Sequence, residues 1–312
     1  MHKKIIIGTR GSELALWQSR WVKQALLERY DQLEIELKIV QTKGDVILDV
    51  ALSKIGDKGL FTKELEQKLL SGEIDLAVHS LKDMPTVWPE GLCIGAITSR
   101  EDPADVLISR DGLTLEQLPF GAKLFSGSLR RKAQVLHYRN DIVVEDIRGN
   151  VQTRLRKFDE SDADAMIMAS AGLKRLGLAD RISERLNPEV FVPACGQGAL
   201  AVQICCDDAE TAEIISVLDD PVGGAAVVAE RTVLGQLEGG CQIPIGAYGQ
   251  IRGNKIYLRA IIASLAGDKL ITAEGHGDIG APEKLGQLIA EELLEKGGKE
   301  ILAQIFRETS GH

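Results

Sequence analysis

The sequence predicts an α/β fold with two lobes of similar plan and a smaller α+β domain at the C-terminus, and three observations carry that prediction. Short apolar runs bounded by glycine and polar residues, such as Ile5 to Ile7 and Ile74 to Val78, are the pattern of strands buried on both faces of a parallel sheet. The chain also repeats itself. Gly8-Thr9-Arg10-Gly11-Ser12 after the first strand returns as Ser126-Gly127-Ser128-Leu129-Arg130-Arg131-Lys132, and Asp75 to Lys82 is echoed by Asp164 to Lys174. Beyond Pro221 the style changes to a hairpin and amphipathic helices. The boundaries that follow are 1–98 with 199–216 for the first lobe, 104–193 for the second, and 221–312 for the C-terminal domain.

Taken in order, Ile5 to Ile7 form the first strand, and Ser12 caps a helix running through Leu14, Trp17, Val22 and Leu27. Arg10 sits on the turn that faces that helix N-terminus, a natural place for an anion. Leu33 to Val40 alternate as a second strand, and a helix is expected from Phe61 to Leu70. Between them Lys54, Gly56, Asp57, Lys58 and Gly59 read as a lid able to close over an anion, or as an ordinary solvated loop. Pro85 biases Met84 away from helix, so His79, Ser80, Lys82 and Asp83 should stay on an extended turn at the carboxyl end of the Ile74–Val78 strand, where α/β sheets bind ligands. Ser99 to Asp105, dense in charge and broken by Pro103, reads as the crossover to the second lobe. There Lys123 to Phe125 and Ile142 to Ile147 are strands, the latter leading into Arg148-Gly149-Asn150. The apolar window Val190 to Cys206 returns the chain to the first lobe through Gly196-Gln197-Gly198, which makes two crossovers and a hinge. A helix from Ala225 to Leu237, a hairpin turn at Arg252 to Lys255 and a last helix from Pro282 to about Lys296 complete the chain.

Composition narrows the function. At 312 residues and 44% hydrophobic content there is ample core for several domains, and the basic start followed by a short apolar run is too short for a signal peptide. The longest charge-free apolar window is broken by Pro193, Gly196 and Gly198 and cannot span a membrane, so the expectation is a cytoplasmic protein. A net charge of -9 argues against nucleic acid or an anionic membrane as partner. Five cysteines without framework spacing argue against a disulfide scaffold, and none shows metal-ligand spacing, so no metal is expected. Cys93, Cys195, Cys205 and Cys206 lie in apolar stretches and read as small buried hydrophobes. Cys241 differs, because Gly239 and Gly240 let the backbone bend closely and leave its thiol accessible; a merely tolerated loop thiol is the alternative.

Two facing lobes would make a cleft holding Arg10, Arg130, Arg131, Arg148, Arg154, Arg175 and Lys82, with Lys54 and Lys58 above. Arginine grips carboxylates and phosphates through a planar fork, so this many forks call for a ligand with several acidic groups. Asp83 is then the one carboxylate placed to meet positive charge on the ligand, unless it is spent on a structural ion pair. At about 4 Å and an effective dielectric near 20, such a pairing is worth roughly 4 kcal/mol, around a thousandfold in rate. A thiolate at Cys241 could hold an electrophilic carbon covalently.

Over essentially its full length the chain resembles the porphobilinogen deaminase, or hydroxymethylbilane synthase, family. The motifs that carry the resemblance are Thr9-Arg10-Gly11-Ser12, Lys58-Gly59-Leu60-Phe61-Thr62-Lys63, and Ala77-Val78-His79-Ser80-Leu81-Lys82-Asp83-Met84-Pro85. Ser128-Leu129-Arg130-Arg131, Ile147-Arg148-Gly149-Asn150-Val151 and Leu237-Glu238-Gly239-Gly240-Cys241-Gln242 extend it. The resemblance implies two lobes like those of type II periplasmic binding proteins and a cytoplasmic, monomeric transferase of tetrapyrrole (porphyrin and heme) biosynthesis. It implies a dipyrromethane cofactor in thioether linkage to Cys241, on which four porphobilinogen molecules are joined head to tail with loss of ammonia. Asp83 matches the family's catalytic aspartate; Lys82, Ser128, Arg130, Arg131 and Arg154 match cofactor-holding positions. Arg10, Ser12, Arg148, Arg175 and Gln197 stand as candidates for holding substrate and growing chain, and Lys54 and Lys58 belong to the loop that covers the site. Two departures stand out: Gly127 where the family usually has a second hydroxyl residue, and Lys43 where it often has arginine. The competing reading is a two-lobed binding protein for a polyacidic small molecule, which leaves Asp83 and the Cys241 loop without a purpose.

Overall fold

Glycine at the right places and apolar runs of four to six residues set up a chain of short strands, and the computed structural model bears this out for residues 4–46, 59–237 and 243–310, the residues it describes. The strands are β1 (Lys4–Thr9), β2 (Glu34–Ile39), β3 (Leu76–Ser80), β4 (Leu92–Ile97), β5 (Asp105–Ser109), β6 (Lys123–Phe125) and β7 (Val143–Glu145). They continue with β8 (Ala165–Ala169), β9 (Glu184–Arg185), β10 (Leu200–Cys205), β11 (Ile245–Arg252), β12 (Lys255–Ala263) and β13 (Leu270–Asp278). The helices are α1 (Glu13–Arg29), α2 (Lys43–Val46), α3 (Lys63–Leu70), α4 (Leu129–Tyr138), α5 (Val151–Asp159), α6 (Ser170–Arg175), α7 (Ala209–Ile215), α8 (Pro221–Gln236), α9 (Pro282–Leu293) and α10 (Lys299–Ser310). No described helix is long and apolar enough to cross a membrane.

Contacts gather the chain into two compact units. Among the described residues, one comprises 4–46, 59–101 and 198–224, and the other comprises 102–197, 225–237 and 243–310. The first unit holds a sheet of order β2-β1-β3-β10-β4. In it β1 runs parallel to β2 and β3, while β10 is antiparallel to both β3 and β4. The second unit holds a sheet of order β7-β6-β8-β5-β9, in which β6 is parallel to β7 and β8 and β5 is antiparallel to β8 and β9. The two sheets share one plan: three parallel strands, then an antiparallel strand, then a last strand paired to it. The duplication read in the sequence is thus a duplication of topology, and each sheet is mixed, although the apolar runs have the pattern of parallel strands.

Ile5, Ile7, Leu26, Leu76 and Val202 pack the core of the first sheet against α1. Leu107, Leu124, Ile167 and Phe191 fill one side of the second sheet, and Val106, Leu155, Met166 and Leu173 fill the other. The second unit also contains the antiparallel sheet β11-β12-β13, packed through Ala247, Leu258, Ala260 and Ile262 onto Ala229 and Val233 of α8 and Ile289 and Leu293 of α9. Its hairpin turns at Gly253 and Asn254, with Arg252 opposite Lys255 and Gly253 at φ 65°, a left-handed conformation that glycine adopts without strain.

Candidate functional site

In the first unit the site begins with how β1 and β3 end. Ser12 caps α1, its hydroxyl accepting from the Ala15 N–H at 3.3 Å, so Arg10 stands on the turn just before the helix. Its guanidinium is already engaged: Nε donates to Asp45 Oδ1 at 3.1 Å and Oδ2 at 3.2 Å, Nη2 also pairs with Asp45, and the group lies 4.2 Å from the Phe61 ring centroid. Asp45 in turn accepts from Thr42 Oγ1 at 2.7 Å. Burial raises the Asp45 carboxyl, but the Arg10 and Thr42 hydrogen bonds and the Arg10 charge outweigh it and hold the carboxyl below its usual range. Residues 43–46 form the short α2 that presents Asp45.

β3 carries the central motif two residues further than predicted, since His79 and Ser80 pair with Ala201 and Leu200 of β10 and are drawn into the sheet. A single 3-10 turn, Leu81–Asp83, follows, and Met84 is extended at φ -81° and ψ 137°, as its place before Pro85 requires. Arg10, Ser12, Gln18, His79, Ser80 and Asp83 line one cleft of about 60 Å³. Gln18, 3% exposed on α1, donates through Nε2 to Ser80 Oγ at 2.8 Å; it is a site residue that the sequence reading missed. Its only signal was a buried polar position on the apolar face of α1. His79 is 5% exposed, and burial foremost drives its pKa down to about 4, helped by the Arg10 charge, so the imidazole is neutral. Lys82 is half-buried and Asp83 is exposed at the cleft rim, where no hydrogen bond reaches its carboxylate from the described residues of this unit. A larger groove of about 450 Å³, lined by Ile39, Gln41, Glu64 and Gln67, contains none of the predicted residues.

In the second unit Ser128 caps α4, accepting from the Arg131 N–H at 3.5 Å, which places Arg130 and Arg131 in the first helical turn. Both are buried, at 5% and 7% exposure, against Asp105 at the start of β5. Gln197, read as a substrate contact, is 1% exposed and spends its amide inside the protein, Nε2 donating to Asp105 Oδ1 at 2.8 Å and to the Pro103 carbonyl at 2.7 Å. Asn150 caps α5 by accepting from the Thr153 N–H at 2.9 Å, and Arg154 Nε donates to the Gly149 carbonyl at 2.7 Å. Arg148 and Arg175 are half-buried on the loop after β7 and the last turn of α6, and burial pulls the Arg148 guanidinium below its ordinary pKa. Cys195 is buried, but Cys206 is exposed and Cys93 and Cys205 are half-buried, which corrects the expectation that all four are core. Cys241, Lys54 and Lys58 lie outside the described residues.

Comparisons with known proteins agree with the motifs. Residues 5–213 match the sequence model described as "Porphobilinogen deaminase, dipyromethane cofactor binding domain", and residues 225–295 match "Porphobilinogen deaminase, C-terminal domain". The chain is 54% identical over 305 residues to the porphobilinogen deaminase of Desulforudis audaxviator, covering 98% of this chain and 99% of that protein. It is 52% identical over 309 residues to that of Chlorobium phaeobacteroides, covering 98% and 99%. Among solved structures, a nutrient binding protein from Burkholderia cenocepacia bound to methionine aligns with a TM-score of 0.43 and 12% identity, over 70% of this chain and 92% of that one. By both of its matched segments and its full-length relatives, the chain belongs to the porphobilinogen deaminase family.

Proposed function

We propose that this protein is a transferase that joins four porphobilinogen molecules head to tail on a covalently held dipyrromethane primer, releasing ammonia and the linear tetrapyrrole hydroxymethylbilane. Full-length family membership carries the reading, and the setting of Asp83 fits it. The donors present suit a cofactor bearing acetate and propionate groups. Ser128 and the edge of the Arg130–Arg131 pair lie at the start of α4, with Arg154 near the start of α5, all hydrogen-bond donors to carboxylate. When bound, the dipyrromethane supplies the free pyrrole carbon to which substrate is added.

The chain's own residues do the rest. Asp83, exposed at the rim of a cleft shared with Arg10, Gln18 and Ser80, accepts from the substrate pyrrole N–H and stabilises the cation left when ammonia departs. Lys82, Arg130, Arg131, Arg154 and Ser128 hold the cofactor's acidic groups, and Arg10, Ser12, Arg148 and Arg175 hold substrate and growing chain. The thiol of Cys241 is the attachment point, and Lys54 and Lys58 belong to the covering loop. We take 1–98 with 199–216, 104–193 and 221–312 as its domains, and a cytoplasmic monomer without nucleic-acid partners, consistent with its net charge of -9, as its working form.

The intact mass of the purified protein tests this. Added mass on the peptide containing Cys241, with a pyrrole colour reaction, supports the reading, and an unmodified thiol in turnover-competent protein rejects it. Asp83→Ala should fold normally and lose turnover by around a thousandfold, the factor expected when a carboxylate facing a new cation is removed. Near-normal turnover in that variant would remove the charge-stabilising role.

A further inference from the structure

Asp105 is 1% exposed and stands between two arginines. Arg130 Nη1 lies 2.8 Å from Oδ2, and Arg131 donates to Oδ1 from Nε at 3.0 Å and from Nη2 at 2.8 Å. Gln197 Nε2 adds a donor to Oδ1 at 2.8 Å, while its Oε1 accepts from Arg131 Nη2 at 3.4 Å. Backbone carbonyls complete the brace: Val192 accepts from Arg130 Nη1 at 2.7 Å and Ile167 from Arg131 Nη1 at 3.3 Å. Burial raises the Asp105 carboxyl, and the two guanidinium charges more than reverse this, so it stays ionised. The triad therefore carries one net positive charge rather than two.

Buried ionic triads of this kind contribute little net stability, since taking three charges out of water cancels most of their attraction. What such a triad does supply is fixed orientation. We propose that Asp105 and Gln197 are positioning residues that hold the Arg130–Arg131 pair as a prebuilt fork for the carboxylates of the cofactor, with Asp105 taking up one of the two charges. The proposal rests on the reading of Arg130 and Arg131 as cofactor-binding residues. Gln197 is the more informative position, because changing it loosens Arg131 and Asp105 without altering charge.

The test starts from apo-protein made in a host that supplies no porphobilinogen, with loading then followed by intact mass after porphobilinogen is added. Gln197→Leu is expected to melt within about 3 °C of wild-type apo-protein, yet to gain cofactor mass about tenfold more slowly, the factor that one lost hydrogen bond to a charged group represents. Should that variant fail to fold, Gln197→Asn, which keeps an amide one methylene shorter, is held to the same outcome. Arg131→Gln separates the two levels of the argument. If it loads at the wild-type rate, the assignment of Arg131 to the cofactor fails. If it stops loading while the folded Gln197 variant loads normally, only the positioning role is overturned.

Discussion

A buried imidazole that has shed its charge makes stability depend on pH. His79 is 5% exposed, its Nε2 has no hydrogen-bond partner among the described residues, and its pKa falls from the ordinary 6.5 to about 4, chiefly through burial. Between those values the unfolded chain binds a proton that the folded one refuses. The stability His79 contributes is therefore complete above 6.5 and lost as pH falls toward 4, in total roughly 3 kcal/mol. The carboxylates held below their usual range, Asp45, Asp102 and Asp105 among them, act at lower pH than this window. We expect His79→Leu, which cannot take up a proton, to flatten the fall in denaturation midpoint between pH 6.5 and 4.5; equal losses in variant and wild type would refute the burial argument. Gly127 makes a second residue-scale case. A Cβ there would stand 2.6 Å from the Ile147 carbonyl oxygen, so the segments that follow β6 and β7 pack too closely for the hydroxyl residue that the family usually carries. Gly127→Ser should cost about 1 to 3 kcal/mol, read by chemical denaturation, and a variant as stable as wild type would show that the neighbouring loop gives way freely. Residue types were legible in the sequence because chemistry is local: Asp83, Arg10 and Ser80 share a cleft. Partners were not, since nothing in sequence spacing ties Arg10 to Asp45 or Arg131 to Asp105.

At the scale of elements, caps and breakers read correctly because they act over three or four residues. Ser12 caps the helix that the sequence starts there, and Pro85 keeps Met84 extended; Ser128 caps α4 in the same way. Strand direction was not legible, because an apolar run looks the same whether its neighbour is parallel or antiparallel; β10 and β5 enter their sheets antiparallel to β3 and β8. The same pairing drew His79 and Ser80 into β3, two residues past the predicted strand end. Asn150 shows what a cap contributes to the site. It satisfies the Thr153 N–H at 2.9 Å and fixes the first turn of α5, from which Arg154 reaches back to Gly149. Asn150→Ala should lose about 1 kcal/mol, while Asn150→Asp, which keeps the acceptor and suits a helix N-terminus, should lose almost nothing. Equal losses from both substitutions in equilibrium unfolding would mean that the cap is not what the side chain supplies.

Within the second unit one buried glutamate ties distant segments together. Glu230 of α8 is 0% exposed; its Oε2 accepts from the Gly196 N–H at 2.7 Å and its Oε1 from the Gly249 N–H at 2.6 Å, joining the segment after Val192 to β11. That segment is held from the other side as well, since Gln134 of α4 exchanges hydrogen bonds with both polar groups of Val192 at 3.0 and 2.7 Å. His137 and the Gly267 carbonyl, 3.0 Å apart, give α4 a second link to the residues after β12. The sequence showed a change of style near Pro221 but no sign of this seam, because its parts lie dozens of residues apart and use ordinary backbone groups. Its consequence is that the β5–β9 sheet and the β11–β13 sheet should unfold together. Removing the carboxylate in Glu230→Ala strands two buried N–H groups, each costing about 1 to 3 kcal/mol, so the loss should be several kcal/mol. The effect should also spread: amide exchange at Val192 and at Ala247, which donates to the Pro193 carbonyl at 3.1 Å, should quicken together with that in the first turns of α4. If exchange rises in β11 alone while α4 keeps its protection, the two sheets are independent folding units and Glu230 anchors only the second of them.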